Sequence, residues 1–270
     1  MDRQPARSSS LLWRLEVALL NALFWVMFVF WTAILVLVAI PYYYLFDFVF
    51  RNPRRSDWLI RRTITHYGAV VIRSGWPFVR VKFVDLAPDE APPWVFVANH
   101  RSTSDAFLMS VLPGECVQVL NLWTSRLRIV NRLSRLAGYL RIREITFDQF
   151  LEQGVQHLNS GVSVIAFPEG TRSGSCKMGQ FHSAVFRVAQ KVGAKVCPLA
   201  ISGSEDIPRK GSLVMHPGRI VVTKLPSLTA QQYQGMSAYQ LKMRARDIIE
   251  KYLEPRPQYE TQNALDPQAA

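Results

Sequence analysis

The sequence predicts an α/β domain, a mixed sheet flanked by helices, preceded by an N-terminal hydrophobic helical membrane anchor. Three observations predict it. From residue 79 onward, short apolar runs rich in Val, Ile and Phe alternate with segments of helical periodicity. A run of 30 residues, Val17 to Phe46, holds no charged side chain. Apolar residues make up 49% of the 270-residue chain and charged ones 19%, which excludes disorder for the bulk. A mean hydropathy of +0.05 excludes a polytopic membrane protein.

Residues 1–10 read as a mobile tail. Residues 11–53 read as the anchor: a spanning helix needs about 20 apolar residues, whereas the apolar core of a cleaved signal is about 7–15 and ends at a small-x-small site. Here Pro41-Tyr42-Tyr43-Tyr44 occurs instead. Pro41, Asn21 and Thr32 interrupt the run, and arginines flank both ends, so a shallow hairpin and a single span both remain open. The stronger basic flank (Arg51, Arg54, Arg55, Arg61, Arg62) puts the rest of the chain at the cytoplasmic face of the inner (plasma) membrane. Residues 54–253 form the α/β domain. Its first helix, 54–74, is basic and amphipathic, and either lies on a membrane or faces a core. Strands follow at 79–84, 94–98, 117–120, 139–143, 162–167 and 196–201. Helices are expected at 106–112, 125–136, 147–158, 181–192 and 238–252. Leu213–His216 and Ile220–Lys224 read as a hairpin around Pro217-Gly218. Residues 254–270 are Pro- and Gln-rich and read as a disordered tail.

Lys and Arg number 32 against 20 Asp and Glu, a net charge of +12. That excess calls for an anionic partner. The basic residues flank the apolar run and no nucleic-acid motif occurs, so the partner is a phospholipid membrane and not nucleic acid. Cys116, Cys176 and Cys197 are scattered, and His66, His157, His182 and His216 have no ligand spacing. A disulfide framework, a metal site and a bound cofactor are therefore not expected.

Four blocks sit where strands end. In Asn99-His100-Arg101-Ser102-Thr103-Ser104-Asp105, histidine and aspartate are five apart, about 140° out of phase on one helix. They meet if the chain turns between them, with His100 on the turn and Asp105 in the first helical turn. A carboxylate that holds a histidine tautomer and stabilises the imidazolium is what a general base requires. In Phe167-Pro168-Glu169-Gly170-Thr171-Arg172-Ser173, Arg172 and Thr171 offer donors to a phosphate, and Glu169 would orient Arg172 or a substrate hydroxyl. In Gly138-Tyr139-Leu140-Arg141-Ile142-Arg143, strand alternation sets Arg141 and Arg143 on one side. The fourth block, Val196-Cys197-Pro198-Leu199-Ala200-Ile201, is architectural.

These four blocks, in this order and at this spacing over residues 94–201, resemble the glycerolipid acyltransferase family of the 1-acylglycerol-3-phosphate acyltransferase type. The resemblance implies transfer of a fatty acyl group from an acyl thioester, acyl-CoA or acyl carrier protein, to the free hydroxyl of a lysolipid acceptor. It gives His100 and Asp105 the catalytic roles. It gives Arg143, Glu169, Gly170, Thr171 and Arg172 acceptor binding, with direct transfer rather than an intermediate on Ser102. Relatives often carry Phe-Lys-x-Gly after the second block, where this chain has Phe181-His182-Ser183-Ala184. A phosphate-free acceptor such as a lyso-ornithine lipid, and a non-catalytic lipid- or carrier-binding module, are the competing readings.

Overall fold

The structure, a computed structural model, describes residues 11–121, 128–173 and 177–253. The predicted tails, the start of the basic helix at 125 and Cys176 lie outside them. Helix α1 (Leu11–Ile34) passes through a single π-helical stretch, Leu35–Ala39, into α2 (Ile40–Phe50). Pro41 does not end the helix. A proline ring crowds the carbonyl one turn back and offers it no N–H, and the wider turn just before it takes up the mismatch, with Ile40 N–H donating to Leu35 O. The backbone stays helical from Leu11 to Phe50 and turns back at Arg51, which adopts the left-handed conformation. Asn52 caps α3 (Pro53–Arg73) by accepting from Arg55 N–H.

Helix α3 runs back along α1 and α2. Ser56 Oγ donates to Asp47 (2.6 Å), and the Thr32 and Tyr67 hydroxyls pair at 2.8 Å. Tyr43, Leu35 and Ile60 are buried in the seam between them. One face of α3 is thus a packing face, while Arg54, Arg55 and Arg62 stay exposed. The opposite side of α1 and α2 leaves Leu12, Leu15, Leu19, Leu23, Val26, Phe30, Ile34 and Leu37 exposed at three- and four-residue spacing, a continuous apolar stripe.

Seven strands form one mixed sheet: β1 (Val79–Asp85), β2 (Trp94–Ala98), β3 (Cys116–Leu120), β4 (Leu140–Arg141), β5 (Ser163–Ala166), β6 (Lys195–Ser202) and β7 (Gly218–Lys224), in the order β1-β7-β6-β2-β5-β3-β4. All neighbours are parallel except β6 and β7. The expected 213–224 hairpin does not form. Residues 213–216 are irregular because their backbone groups go elsewhere, Met215 N–H to Asn21 and His216 N–H to Asp206, and β7 pairs with β1 and β6 instead.

Strand β2 is central and wholly buried, as its unbroken apolar run requires. Val95 and Val97 face a core with Phe150, Phe186 and Leu241, built under α6 (Phe147–Asn159), α7 (Ala184–Val192) and α9 (Ala238–Leu253). Trp94, Phe96 and Ala98 face the other way, onto Leu20 and onto Leu108 of the short α4 (Asp105–Leu108). The remaining helices are α5 (Arg128–Leu136) and α8 (Ala230–Tyr233). Two helices are shorter than the sequence suggests: 106–112 divides into α4 and a 3₁₀ turn at Met109–Val111, and 181–192 starts only at Ala184.

Candidate active site

The site lies at the carboxyl ends of the neighbouring parallel strands β2, β5 and β3, where an open α/β sheet leaves room for a ligand. Strand β2 ends against a fixed point. The buried Asn99 amide donates to Ile201 O (2.9 Å) and accepts from Ile201 N–H (2.8 Å), locking β2 to β6 at the residue before the histidine. The chain then turns around a carboxylate. Asp105 is completely buried, and its Oδ2 accepts from Arg101 N–H (2.7 Å) and Ser102 N–H (2.8 Å). The same oxygen lies 2.9 Å from His100 Nδ1. Nδ1 is therefore the protonated nitrogen, and Nε2 keeps its lone pair. The ring stacks on Phe167, centroids 4.4 Å apart at 29°, and its side chain is 18% exposed. His100 and Asp105 thus meet across the turn, as expected.

The second block grips the first from both sides. Glu169 Oε1 accepts from His100 N–H and Oε2 from Gly179 N–H, each at 2.8 Å, while Ser173 N–H donates to His100 O at 2.8 Å. Glu169 is buried, which pushes its carboxyl pKa up against the opposing pull of those two amides. Its oxygens hold backbone N–H groups and not Arg172, so of the two partners read from the sequence the arginine is not the one it orients, and the carboxylate braces the turn. Gly170 adopts φ +67°, a left-handed conformation that suits glycine. Its carbonyl accepts from Asn121 Nδ2 at 2.9 Å, and Asn121 Oδ1 accepts from Arg143 Nε at 3.3 Å. The His182 ring lies against Gly170, at the block that lacks the lysine. Thr171 is exposed. Arg172 Nη1 donates to Thr103 Oγ1, within the His100 turn, and its carbonyl accepts from Lys210 Nζ at 2.7 Å.

The structure thus gathers His100, Asp105, Glu169, Gly170, Thr171 and Arg172, and ties Arg143 to them through Asn121. It separates Arg141 from Arg143. Strand β4 stops at Arg141 and a turn follows, so alternation no longer applies; Arg141 is buried against Glu144, and Arg143 is exposed. Arg141 instead lines a cavity of about 1310 Å³ with Arg54, Arg61, Glu115, Glu144 and His157. No residue of the His100 site borders that cavity. Ser102 Oγ donates to the carbonyls of Ile207 (3.0 Å) and Pro208 (2.9 Å), a supporting position and not that of a nucleophile. Sequence reasoning missed Asn121, Phe167 and Lys210. A polar residue directly after a strand was the available signal for Asn121, and none marked Lys210.

The chain is similar to known proteins. A family model described as Acyltransferase matches residues 79–202, which hold every site residue named above except Lys210. A 1-acyl-sn-glycerol-3-phosphate acyltransferase of Chlamydomonas reinhardtii is 28% identical over 185 residues, 66% of this chain and 54% of its own length. A lyso-ornithine lipid O-acyltransferase of Pseudomonas aeruginosa is 28% identical over 208 residues, 70% of this chain and 78% of its own length. The chain spans about half the length of the algal and plant relatives it matches. The crystal structure of the 1-acyl-sn-glycerophosphate (LPA) acyltransferase PlsC from Thermotoga maritima superposes with a TM-score of 0.70, covering 89% of this chain and 96% of that one at 21% identity, a likeness of fold. Residues 79–202, which carry six of the seven strands and both sides of the His100 turn, are thus similar to the acyltransferase family.

Proposed function

We propose that the protein is a membrane-bound O-acyltransferase that moves a fatty acyl group from an acyl thioester, acyl-CoA or acyl carrier protein, to the free hydroxyl of a lysolipid. The reading rests on the 2.9 Å contact from His100 Nδ1 to a buried carboxylate, which leaves Nε2 as a base at a partly open strand end. Nε2 takes the proton of the acceptor hydroxyl as its oxygen attacks the thioester carbonyl. Asp105 stabilises the imidazolium that results. The thiolate leaves and is protonated from that imidazolium, restoring the neutral histidine. Arg172 and Arg143 flank the turn and would hold an acceptor phosphate, which favours 1-acylglycerol-3-phosphate as acceptor and phosphatidic acid as product. The exposed stripe of α1 and α2 would attach the protein to the bilayer, with the positive charge of the chain set against anionic headgroups.

A second acceptor class is favoured by one observation. The lyso-ornithine lipid O-acyltransferase aligns over 78% of its length, the algal enzyme over 54%. Purified protein tested with 1-acylglycerol-3-phosphate, lyso-ornithine lipid and neutral lysolipids, each with both donor types, separates the two. Preference for the phosphate acceptor supports the first reading, and preference for the amino lipid replaces it. No transfer to any lysolipid from either donor would leave the binding-module reading.

A further inference from the structure

Asn21 is an amide in the middle of an apolar helix. Its side chain donates to Met215 O (2.9 Å) and accepts from Met215 N–H (3.0 Å), across 194 residues of sequence. Just over two turns earlier on α1, Trp13 stacks on His216, centroids 6.5 Å apart at 9°. The helix with the exposed apolar stripe is therefore fastened to the segment between β6 and β7. That segment supports the site. Ile207 O accepts from Ser102 Oγ (3.0 Å) and Ser104 Oγ (2.6 Å), and Lys210 Nζ reaches Arg172 O (2.7 Å). Its tip is Arg209-Lys210-Gly211-Ser212-Leu213-Val214. Both basic residues are exposed there, and so are Leu213 (71%) and Val214 (46%). Isolated exposed apolar side chains are ordinary, but here two adjoin a basic pair and stand next to the point where α1 carries exposed Leu11, Leu12 and Leu15. Cations beside apolar side chains fit the boundary between anionic headgroups and acyl chains.

We propose that the 209–214 tip is a second membrane-contact element, seated on anionic phospholipid, and that Asn21 is the positioning residue that keys it to α1. The proposal rests on the membrane reading above. Through Ile207 and Lys210 the same segment braces the catalytic turn and the Arg172 loop, so bilayer contact at the tip presents the site to lipid-borne acceptor. Without Asn21, Met215 would lose both backbone partners, and the tip would no longer hold its place beside the stripe.

The experiment uses the full chain on phosphatidylcholine vesicles, with and without about a third phosphatidylglycerol. Amide hydrogen exchange over 209–214 should slow about tenfold on the acidic vesicles relative to detergent, and less on neutral ones. Leu213→Asp with Val214→Asp, and separately Asn21→Leu, should still sediment with vesicles through α1. Each should lose about tenfold in kcat/KM on vesicle-borne lysolipid, yet stay within about twofold on a short-chain, monodisperse lysolipid. Unslowed exchange on acidic vesicles overturns the proposal, and so does equal slowing on neutral ones. Equal loss on both acceptor forms in both variants overturns it as well, because that marks general damage. If even the wild-type chain transfers no acyl group, the enzymatic reading fails while the exchange data still decide the docking surface.

Discussion

In the proposed reaction His100 acts as a base only because Asp105 fixes its tautomer, and Asp105 is buried on a turn that aims backbone N–H groups at it. Replacing His100 with alanine should therefore lower turnover by about 10²–10⁴-fold or more while leaving the fold and vesicle binding intact. Near-normal turnover in that variant, measured with a thioester release assay, would sink the catalytic assignment. Both residues were legible in the sequence, since their five-residue spacing fails on a helix and works on a strand-end turn. Glu169 was legible as a site residue but not in its role, because its backbone partners are 69 residues upstream and ten downstream. The arginines give a second expectation. If each makes a charge-assisted hydrogen bond to an acceptor phosphate, losing one costs about 1.5–3 kcal/mol, or roughly 10- to 150-fold in acceptor kcat/KM. Arg172→Lys should recover part of the loss, since it keeps the charge without the planar fork. Donor titrations should change little. Wild-type acceptor constants in both Arg172→Ala and Arg143→Ala would remove the phosphate from the picture.

At the scale of elements, the wholly apolar strand β2 and the nearly apolar β5, polar only at Ser163, were the most readable, because burial on both faces leaves one kind of sequence. Where backbone partners come from far away the reading failed: 213–216 has strand-like composition, but Asn21 takes its hydrogen bonds. Strand β4 is cut to two residues by the turn that sets Arg141 against Glu144. The junction of α5, α6 and α3 holds a titratable group outside the site. His157 Nε2 donates to Gly138 O at 2.8 Å, beside Arg61, which donates to Ala137 O and Glu115. Burial first, and the Arg61 charge second, hold the His157 pKa below its usual value. The unfolded chain then takes up a proton near pH 6.5 that the folded protein refuses, so this contribution to stability is present above that pH and lost as the pH falls through the lowered value. His157→Gln should accordingly show a smaller drop in melting temperature between pH 7.5 and pH 5.5 than the wild type, in thermal melts at the two values. An equal drop would place the acid sensitivity elsewhere.

The whole molecule joins two surfaces with opposite demands, a buried face of α1 and α2 on the domain and an exposed apolar one. Composition revealed the apolar run but not that only half of its circumference packs on protein, since both halves are equally apolar and only Asn21, Thr32 and Tyr43 mark the inner side. Charges on the outer side should therefore leave the fold alone. Leu19→Glu, Leu23→Glu and Val26→Glu together remove three side chains worth about 1.5–3 kcal/mol each in apolar surroundings, so vesicle partitioning should fall by about 10³-fold or more. Circular dichroism should stay unchanged. Undiminished cosedimentation at high salt would show that the stripe is not the attachment surface.

The bracing of the His100 turn also sets where the neighbouring loop can change without moving the histidine. Glu169 and Ser173 rivet the loop to the two backbone groups of His100, and between those rivets stand only Gly170, Thr171 and Arg172. Of that three-residue insert only Thr171 is exposed, so a new side chain there should leave His100 and Asp105 in their places.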